Sequence, residues 1–346
     1  MKAALLKAFR SETLEVAEIV DPRPAPGEAL VAVAACGICG TDLHVMAGES
    51  YRPELPFCLG HELVGTIVDV GETSDEALLG RRVVPTLFSG CGNCAACRAG
   101  DERLCEHGAE VLGVLRRAGG FAELATVATR NLVVVPEGVS DEAAATLVDA
   151  GTTANNAVRC ALENPDYGAG RRLVLGGGPA GLFAAELLKD AGEETVVLEA
   201  NVLRRKVLET RGIPVATVLE ELTAGWASVI DCAADPALVS GALALLRPRG
   251  RYVVVGYARV PDLDLAVVSR QELSILGVRS GTRGDLEQVL AAVARGTVAP
   301  PPIETYALSE INNALFALRA GAVGGKAVVM PGEQARKDYQ RTERQH

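Results

Sequence analysis

Basic charge is scarce in this chain: 34 Lys and Arg stand against 44 Asp and Glu, a formal net charge of -10. Holding a phosphate backbone needs clustered Lys and Arg, so no nucleic-acid partner is expected, and no adhesion to an anionic membrane. The excess of acid reads as ordinary solubility. Long apolar runs are missing too. None approaches the ~18 residues that cross a bilayer. The opening MKAALLKAFR is broken by Lys7 and Arg10, so no secretory signal is expected. Aromatic residues make up only 4% of the chain, which leaves aliphatic side chains to fill the core. There are no internal repeats. Histidine occurs only four times, so each one within a motif carries weight.

Cysteine, by contrast, occurs nine times. Without a secretory signal, these cysteines point to a reducing compartment, the cytoplasm, and to metal binding rather than disulfides. Four lie together in CGNCAACRAGDERLC, as Cys91, Cys94, Cys97 and Cys105. A structural zinc needs four thiolates converging at ~2.3 Å, and two-residue gaps let a tight loop aim successive sulfurs at one point. Four unrelated buried cysteines would not be spaced this way. An iron–sulfur cluster is the rival, ranked below zinc because no other redox-cofactor signal accompanies it. A nucleic-acid-binding zinc ribbon is weakened by the acidic balance.

The length of 346 residues suggests two domains, at ~100–200 residues each. The first part is β-rich, with strand candidates at 29–35, 64–70, 82–85 and 132–135. Residues 141–162 have the Ala-rich 3.6 periodicity of one helix. From about residue 171 the pattern turns to strand, helix, strand, with strands at 173–175, 195–198, 227–231, 252–255 and 273–276. Helices are expected at 182–190, 202–210 and 238–246. That alternation predicts a parallel sheet with helices on both faces. Helices at 286–294 and 309–319 and a last strand at 327–330 follow, around a Pro-rich link at 300–302. The polar residues beyond 332 are expected to be a frayed tail.

Within the parallel region, RLVLGGGPAG at 172–181 sets Gly176-x-Gly178-x-x-Gly181 between a strand and a helix. A lone match of this kind is weak, but the context fits: a tight turn at Gly176, close pyrophosphate approach at Gly178, and helix–strand packing at Gly181. The helix N-terminus offers free N–H groups to phosphate. Glu199 ends the next strand, TVVLEAN, where an acid would bind the ribose 2′-hydroxyl and repel a 2′-phosphate. NAD is therefore expected over NADP. Arg204 and Arg205 read as a solvated helix face.

A second metal set begins at Cys39 in CGICGTDLH and continues at Gly60-His61-Glu62. Thiolate and imidazole are both good zinc ligands, and a catalytic zinc takes three protein ligands with one open position, so a third is required. Cys39-Gly40-Thr41-Asp42 with His44, then Gly60-His61-Glu62, then the four-cysteine lobe, then the Gly-rich turn, stand in the order of the medium-chain zinc alcohol dehydrogenases. The chain resembles that family from its first strand to about Met330.

The resemblance implies a Rossmann domain at 151–281 set into a β-rich, GroES-like catalytic domain with a pinched barrel and a structural zinc lobe, formed by 1–150 and 282–332, with a tail at 333–346. It implies an active site in the cleft between them, two zinc ions per chain, NAD, and a dimer or tetramer. Cys39 and His61 would ligate the catalytic zinc, with Asp42 orienting the His61 ring. Glu62 would sit close behind the metal and be able to ligate transiently. Thr41 would bridge the substrate oxygen and the cofactor ribose, and His44 would pass the proton to solvent. Many relatives place Cys or Glu as the third ligand. Here TLVDAGTTANNAV sets Asp149 at the position that resembles the usual Cys. A carboxylate keeps the ligand charge of a thiolate and makes the metal a somewhat stronger Lewis acid.

The expected activity is reversible hydride transfer between an alcohol and NAD. A polyol, sugar or amino alcohol would suit Arg52, Glu54 and Ser89 in the candidate pocket segments 46–57 and 86–90. The alternatives are a zinc-dependent lyase or epimerase with recycled NAD, and a non-enzymatic nucleotide sensor.

Overall fold

The computed structural model describes residues 1–163, 170–257, 259–260 and 263–332, and the expected tail lies outside the described residues. Two compact units emerge. The first comprises Met1–Asp149, Thr282–Ala294 and the described residues from Ile303 onward; the second comprises Ala150–Gly281 and Arg295–Pro302. Among the described residues no helix is long and apolar enough to cross a membrane.

The first unit is organised on the strand Glu28–Ile38, whose sequence EALVAVAACGI is apolar on both faces and almost wholly buried. Such a run has to be covered on both sides. It pairs antiparallel with Glu62–Val70, Leu124–Ala128 and Lys326–Met330 within a seven-stranded sheet. Two register shifts against Glu62–Val70 bend it, at Leu30/Val31 and Val33/Ala35. At the far end the register sets Gly37 opposite Glu62 on one side and Val328 on the other. Three segments distant in sequence thus meet where the strand delivers Cys39. Strands at Lys2–Leu6, Leu124–Ala128 and Ile303–Ala307 were not evident from periodicity; IETYA at 303–307 is short and largely exposed.

The helix expected over 141–162 is interrupted. Asp141–Thr146 and Thr152–Leu162 are α-helical, and between them Leu147–Gly151 forms a wider π turn that carries Asp149. Turns of this kind re-aim one side chain without ending the helix. Ser140 caps the start, its hydroxyl accepting from the Ala143 N–H at 3.2 Å.

The second unit is a six-stranded sheet ordered Val215–Ala216, Thr195–Leu198, Arg172–Leu175, Trp226–Asp231, Leu246–Val254, Ser274–Gly277, all parallel. Numbered along the chain, that order is 3-2-1-4-5-6, the doubly wound Rossmann arrangement with its switch point beside Arg172–Leu175. The helix expected over 238–246 is observed at Pro236–Leu245, and Leu246 already pairs with Trp226 as strand. Arg247-Pro248 explains the early stop, because the residue before proline is pushed to extended backbone. Leu173, Leu175, Val229, Leu243 and Leu246 pack around Trp226 and Tyr252. Four of the few aromatics, Trp226, Tyr252, Phe121 and Phe183, are the largest fully buried side chains.

Candidate active site

Cys39 leaves the strand Glu28–Ile38 and caps the helix Gly40–Ala47. Its Sγ accepts from the Thr41 N–H at 3.3 Å, and Asp42 Oδ2 accepts from the Cys39 N–H at 2.9 Å. This reciprocal cap aims a helix N-terminus at the sulfur. The other oxygen of buried Asp42, Oδ1, stands 3.5 Å from His61 Nδ1. One carboxylate therefore fixes the cap and faces the histidine ring.

His61 Nε2 lies 3.2 Å from Cys39 Sγ and 3.7 Å from Asp149 Oδ2, and the sulfur lies 4.0 Å from that oxygen. A tetrahedral zinc with bonds of about 2.0–2.3 Å separates its donors by about 3.3–3.8 Å. The donor set fits that ion, with sulfur, nitrogen and oxygen in the kinds zinc accepts. Burial favours the neutral His61 ring, yet Cys39, Asp42 and Asp149 together raise its pKa well above the ordinary value. The charges that would draw a proton there are the charges that would attract a divalent cation. Glu62 Oε1 is 3.9 Å from His61 Nε2, and the four donor atoms all fall within 4.8 Å of one another.

Thr41 is half-buried at the start of the helix. His44 follows at i+3 on the same face. His44 is exposed, and its Nδ1 lies 2.9 Å from Glu49 Oε2.

Cys91, Cys94, Cys97 and Cys105 also converge. The Cys91–Cys97 and Cys94–Cys105 sulfur pairs are each 4.0 Å apart. That is far beyond the disulfide bond of about 2.05 Å and close to the tetrahedral edge of about 3.8 Å around zinc. The Cys97 N–H helps lower the Cys94 thiol to about 6, while burial pushes Cys97 up to about 12. A divalent cation is what would allow all four to ionise side by side.

In the second unit the Gly-rich turn has the shape a pyrophosphate needs. Gly176 has φ +87°, open to glycine without strain. A Cβ at Gly181 would stand 1.8 Å from Gly176 O, whereas one at Gly178 would meet nothing nearer than Arg204 Nη1 at 3.8 Å. The first glycine makes the turn, the last seats the helix Pro179–Asp190, and the middle one leaves its face open. No side chain caps that helix at Gly178. Buried Glu199 is tied into the turn: Oε2 accepts from the Gly177 N–H and Oε1 from the Asn201 N–H, both at 2.7 Å. Arg204 and Arg205 do not form a simple solvated face. Arg204 Nη1 is 3.8 Å from Glu199 Oε2, and Arg205 Nη1 donates to Ala200 O at 2.5 Å.

The family model for the alcohol dehydrogenase GroES-like domain matches residues 25–137, and that for the zinc-binding dehydrogenase matches 208–329. An alcohol dehydrogenase of Geobacillus stearothermophilus is 30% identical over 344 residues, covering 95% of this chain and 98% of that protein. The chain belongs to the medium-chain zinc alcohol dehydrogenase family. A sorbitol dehydrogenase of Halalkalibacterium halodurans is 30% identical over 340 residues, covering 93% of this chain and 97% of that protein. Acetophenone reductase from Geotrichum candidum, solved in complex with NAD, superposes with a TM-score of 0.85 at 26% identity, covering 95% of this chain and 96% of that one. The expected hydride-transfer chemistry stands, and the lyase or epimerase alternative gains no support from these relatives.

Some polar groups of the dehydrogenase serve its scaffold. Ser89 Oγ donates to Asn131 Oδ1 at 3.1 Å and accepts from Arg130 at 2.9 Å. Arg52 is exposed and donates to Gly48 O at 3.2 Å. Cys36 and Cys58 are buried, whereas Cys160 and Cys232 are half-buried.

Periodicity missed one residue beside the metal set. Lys326 opens the buried strand KAVVM, and its Nζ lies 2.5 Å from Glu62 Oε1. Burial opposes its charge, but Glu62, Cys39 and Asp149 together hold its pKa above the ordinary value. The available signal was a charged residue heading an apolar strand.

Proposed function

We propose that this dehydrogenase oxidises a small hydroxylated molecule, a polyol, sugar or amino alcohol, passing hydride to NAD, and that it reduces the matching carbonyl in reverse. The observation that carries the reading is the set of Cys39 Sγ, His61 Nε2 and Asp149 Oδ2, at 3.2, 3.7 and 4.0 Å from one another. Three ligands leave the fourth position for substrate. Zinc bound there supplies Lewis acidity, which lowers the pKa of a hydroxyl group or polarises a carbonyl.

The protein's own groups do the rest. Cys39 and Asp149 provide two anionic ligands and His61 a neutral one, with Asp42 orienting the ring. The Thr41 hydroxyl would take the substrate proton as it gives up its own toward the cofactor ribose, and His44, one turn on and exposed, would pass it to solvent. Glu62 stands behind the donor set. Gly176, Gly178 and Gly181 receive the pyrophosphate at the helix N-terminus. Glu199 keeps acceptor capacity for a ribose hydroxyl beyond its two backbone partners and disfavours a 2′-phosphate. Cys91, Cys94, Cys97 and Cys105 hold the second zinc as a structural ion. In this reading the first unit is the catalytic domain, the second binds NAD, and the enzyme works in the cytoplasm as a dimer or tetramer.

The test is a panel of alcohols, polyols, sugars and amino alcohols with NAD and NADP, read by nicotinamide absorbance on zinc-loaded protein. Turnover is expected with NAD. Failure to reduce either cofactor with the whole panel would end the reading, and a clear preference for NADP would overturn the role given to Glu199.

A further inference from the structure

We infer that Lys326 is a positioning residue that holds the Glu62 carboxylate out of the catalytic metal's open position. This rests on Cys39, His61 and Asp149 being the metal set. Glu62 and Lys326 are both buried, at 0% and 3% exposure. Glu62 Oε1 is 2.5 Å from Lys326 Nζ, while Oε2 has no hydrogen-bond partner among the described residues. The carboxylate already belongs to the same cluster of donor atoms as the three ligands. Gly37 makes room for the pair: a Cβ there would stand 2.0 Å from Glu62 Oε2 and 3.0 Å from Lys326 Cε.

A buried carboxylate with one unsatisfied oxygen needs a cation. Two are within reach of Glu62, the ammonium and the metal. While Lys326 occupies Oε1, the ammonium balances the Glu62 carboxylate, and a divalent ion balances its two anionic ligands. Remove the ammonium, and the compensation left to Glu62 is the metal itself. The carboxylate then becomes a fourth protein ligand, and an open site becomes a closed one. Lys326 thereby keeps the position that substrate has to enter.

The experiment follows zinc leaving the holoenzyme for a chromophoric chelator. The release phase absent from Cys39→Ala belongs to this site, and the four-cysteine zinc is the internal control. Lys326→Met should slow that phase by about tenfold or more, the scale on which groups behind a ligand tune metal affinity. In a Glu62→Gln background the same substitution should change nothing. In cobalt-substituted protein, imidazole should shift the visible bands of wild type but not those of Lys326→Met. Equal or faster release in Lys326→Met, the same slowing in the Glu62→Gln background, or an undiminished imidazole response would overturn the inference. Should Lys326→Met not fold, Lys326→Leu, which also removes the donor to Glu62, carries the same comparison. A wild type holding only the four-cysteine zinc defeats both the metal set and this inference. Two zincs with unchanged release defeat only the role of Lys326.

Discussion

Asp149→Asn is the sharpest perturbation of the site, because it alters one charge and almost no volume. Asp149 Oδ2 is one of three donors, 3.7 Å from His61 Nε2 and 4.0 Å from Cys39 Sγ. Four-ligand zinc sites bind with about 10–16 kcal/mol, so one ligand's share is about 3–4 kcal/mol, and its loss should weaken binding roughly 10²–10³-fold. The fold should survive, since the Asp149 side chain is 25% exposed and sits on a π turn rather than in the apolar core. Metal content is measured by mass spectrometry after dialysis against a moderate chelator. Wild type should keep about two zincs and Asp149→Asn about one, the four-cysteine ion. Asp149→Cys, which restores an anionic donor, should return the second. An Asp149→Asn protein with two zincs and wild-type resistance to the chelator would refute the reasoning, since the carboxylate would then be no ligand.

Thr41→Ala should cut turnover by about 10²-fold or more while leaving NAD affinity, read by cofactor fluorescence titration, unchanged; near-normal turnover removes Thr41 from proton transfer. Gly181→Ala forces a Cβ to 1.8 Å from Gly176 O, so it should cost about 1–3 kcal/mol in denaturant melts and weaken NAD binding. Burial pushes the Cys58 thiol from 9.0 up to about 12, so the folded state favours the neutral form. That stability is fully present below pH 9.0 and is lost as the pH rises toward about 12, and Cys58→Ala should flatten this alkaline decline in urea melts taken across the range.

The second unit was readable from local pattern because parallel strands buried on both faces appear as continuous apolar runs. Arg172–Leu175, Thr195–Leu198 and Trp226–Asp231 are all of that kind. The first unit was less legible. Ile303–Ala307 and Leu124–Ala128 are strands because of the neighbours they find, not because of their own periodicity. The π turn at Leu147–Gly151 was hidden for a related reason: an Ala-rich segment has helical periodicity throughout, and the one-residue widening leaves no compositional trace. Cys39, His61 and the four-cysteine loop stood out because thiols and imidazoles are rare and closely spaced. Lys326 did not, because its importance depends on strand register. It becomes visible only when Lys326–Met330 pairs with Glu28–Ile38 and brings the lysine to Glu62.

The candidate donors also sit on different kinds of element. Cys39 is fixed by the end of the central strand and by a reciprocal helix cap, and His61 precedes a strand buried along most of its length. Asp42 couples the two, with Oδ2 on the Cys39 N–H and Oδ1 facing His61 Nδ1. Asp149 hangs from an irregular helical turn and is more exposed than His61, at 25% against 2%. The fold sets the sulfur at a capped helix start, the nitrogen at the head of a buried strand and the carboxylate on a wider helical turn.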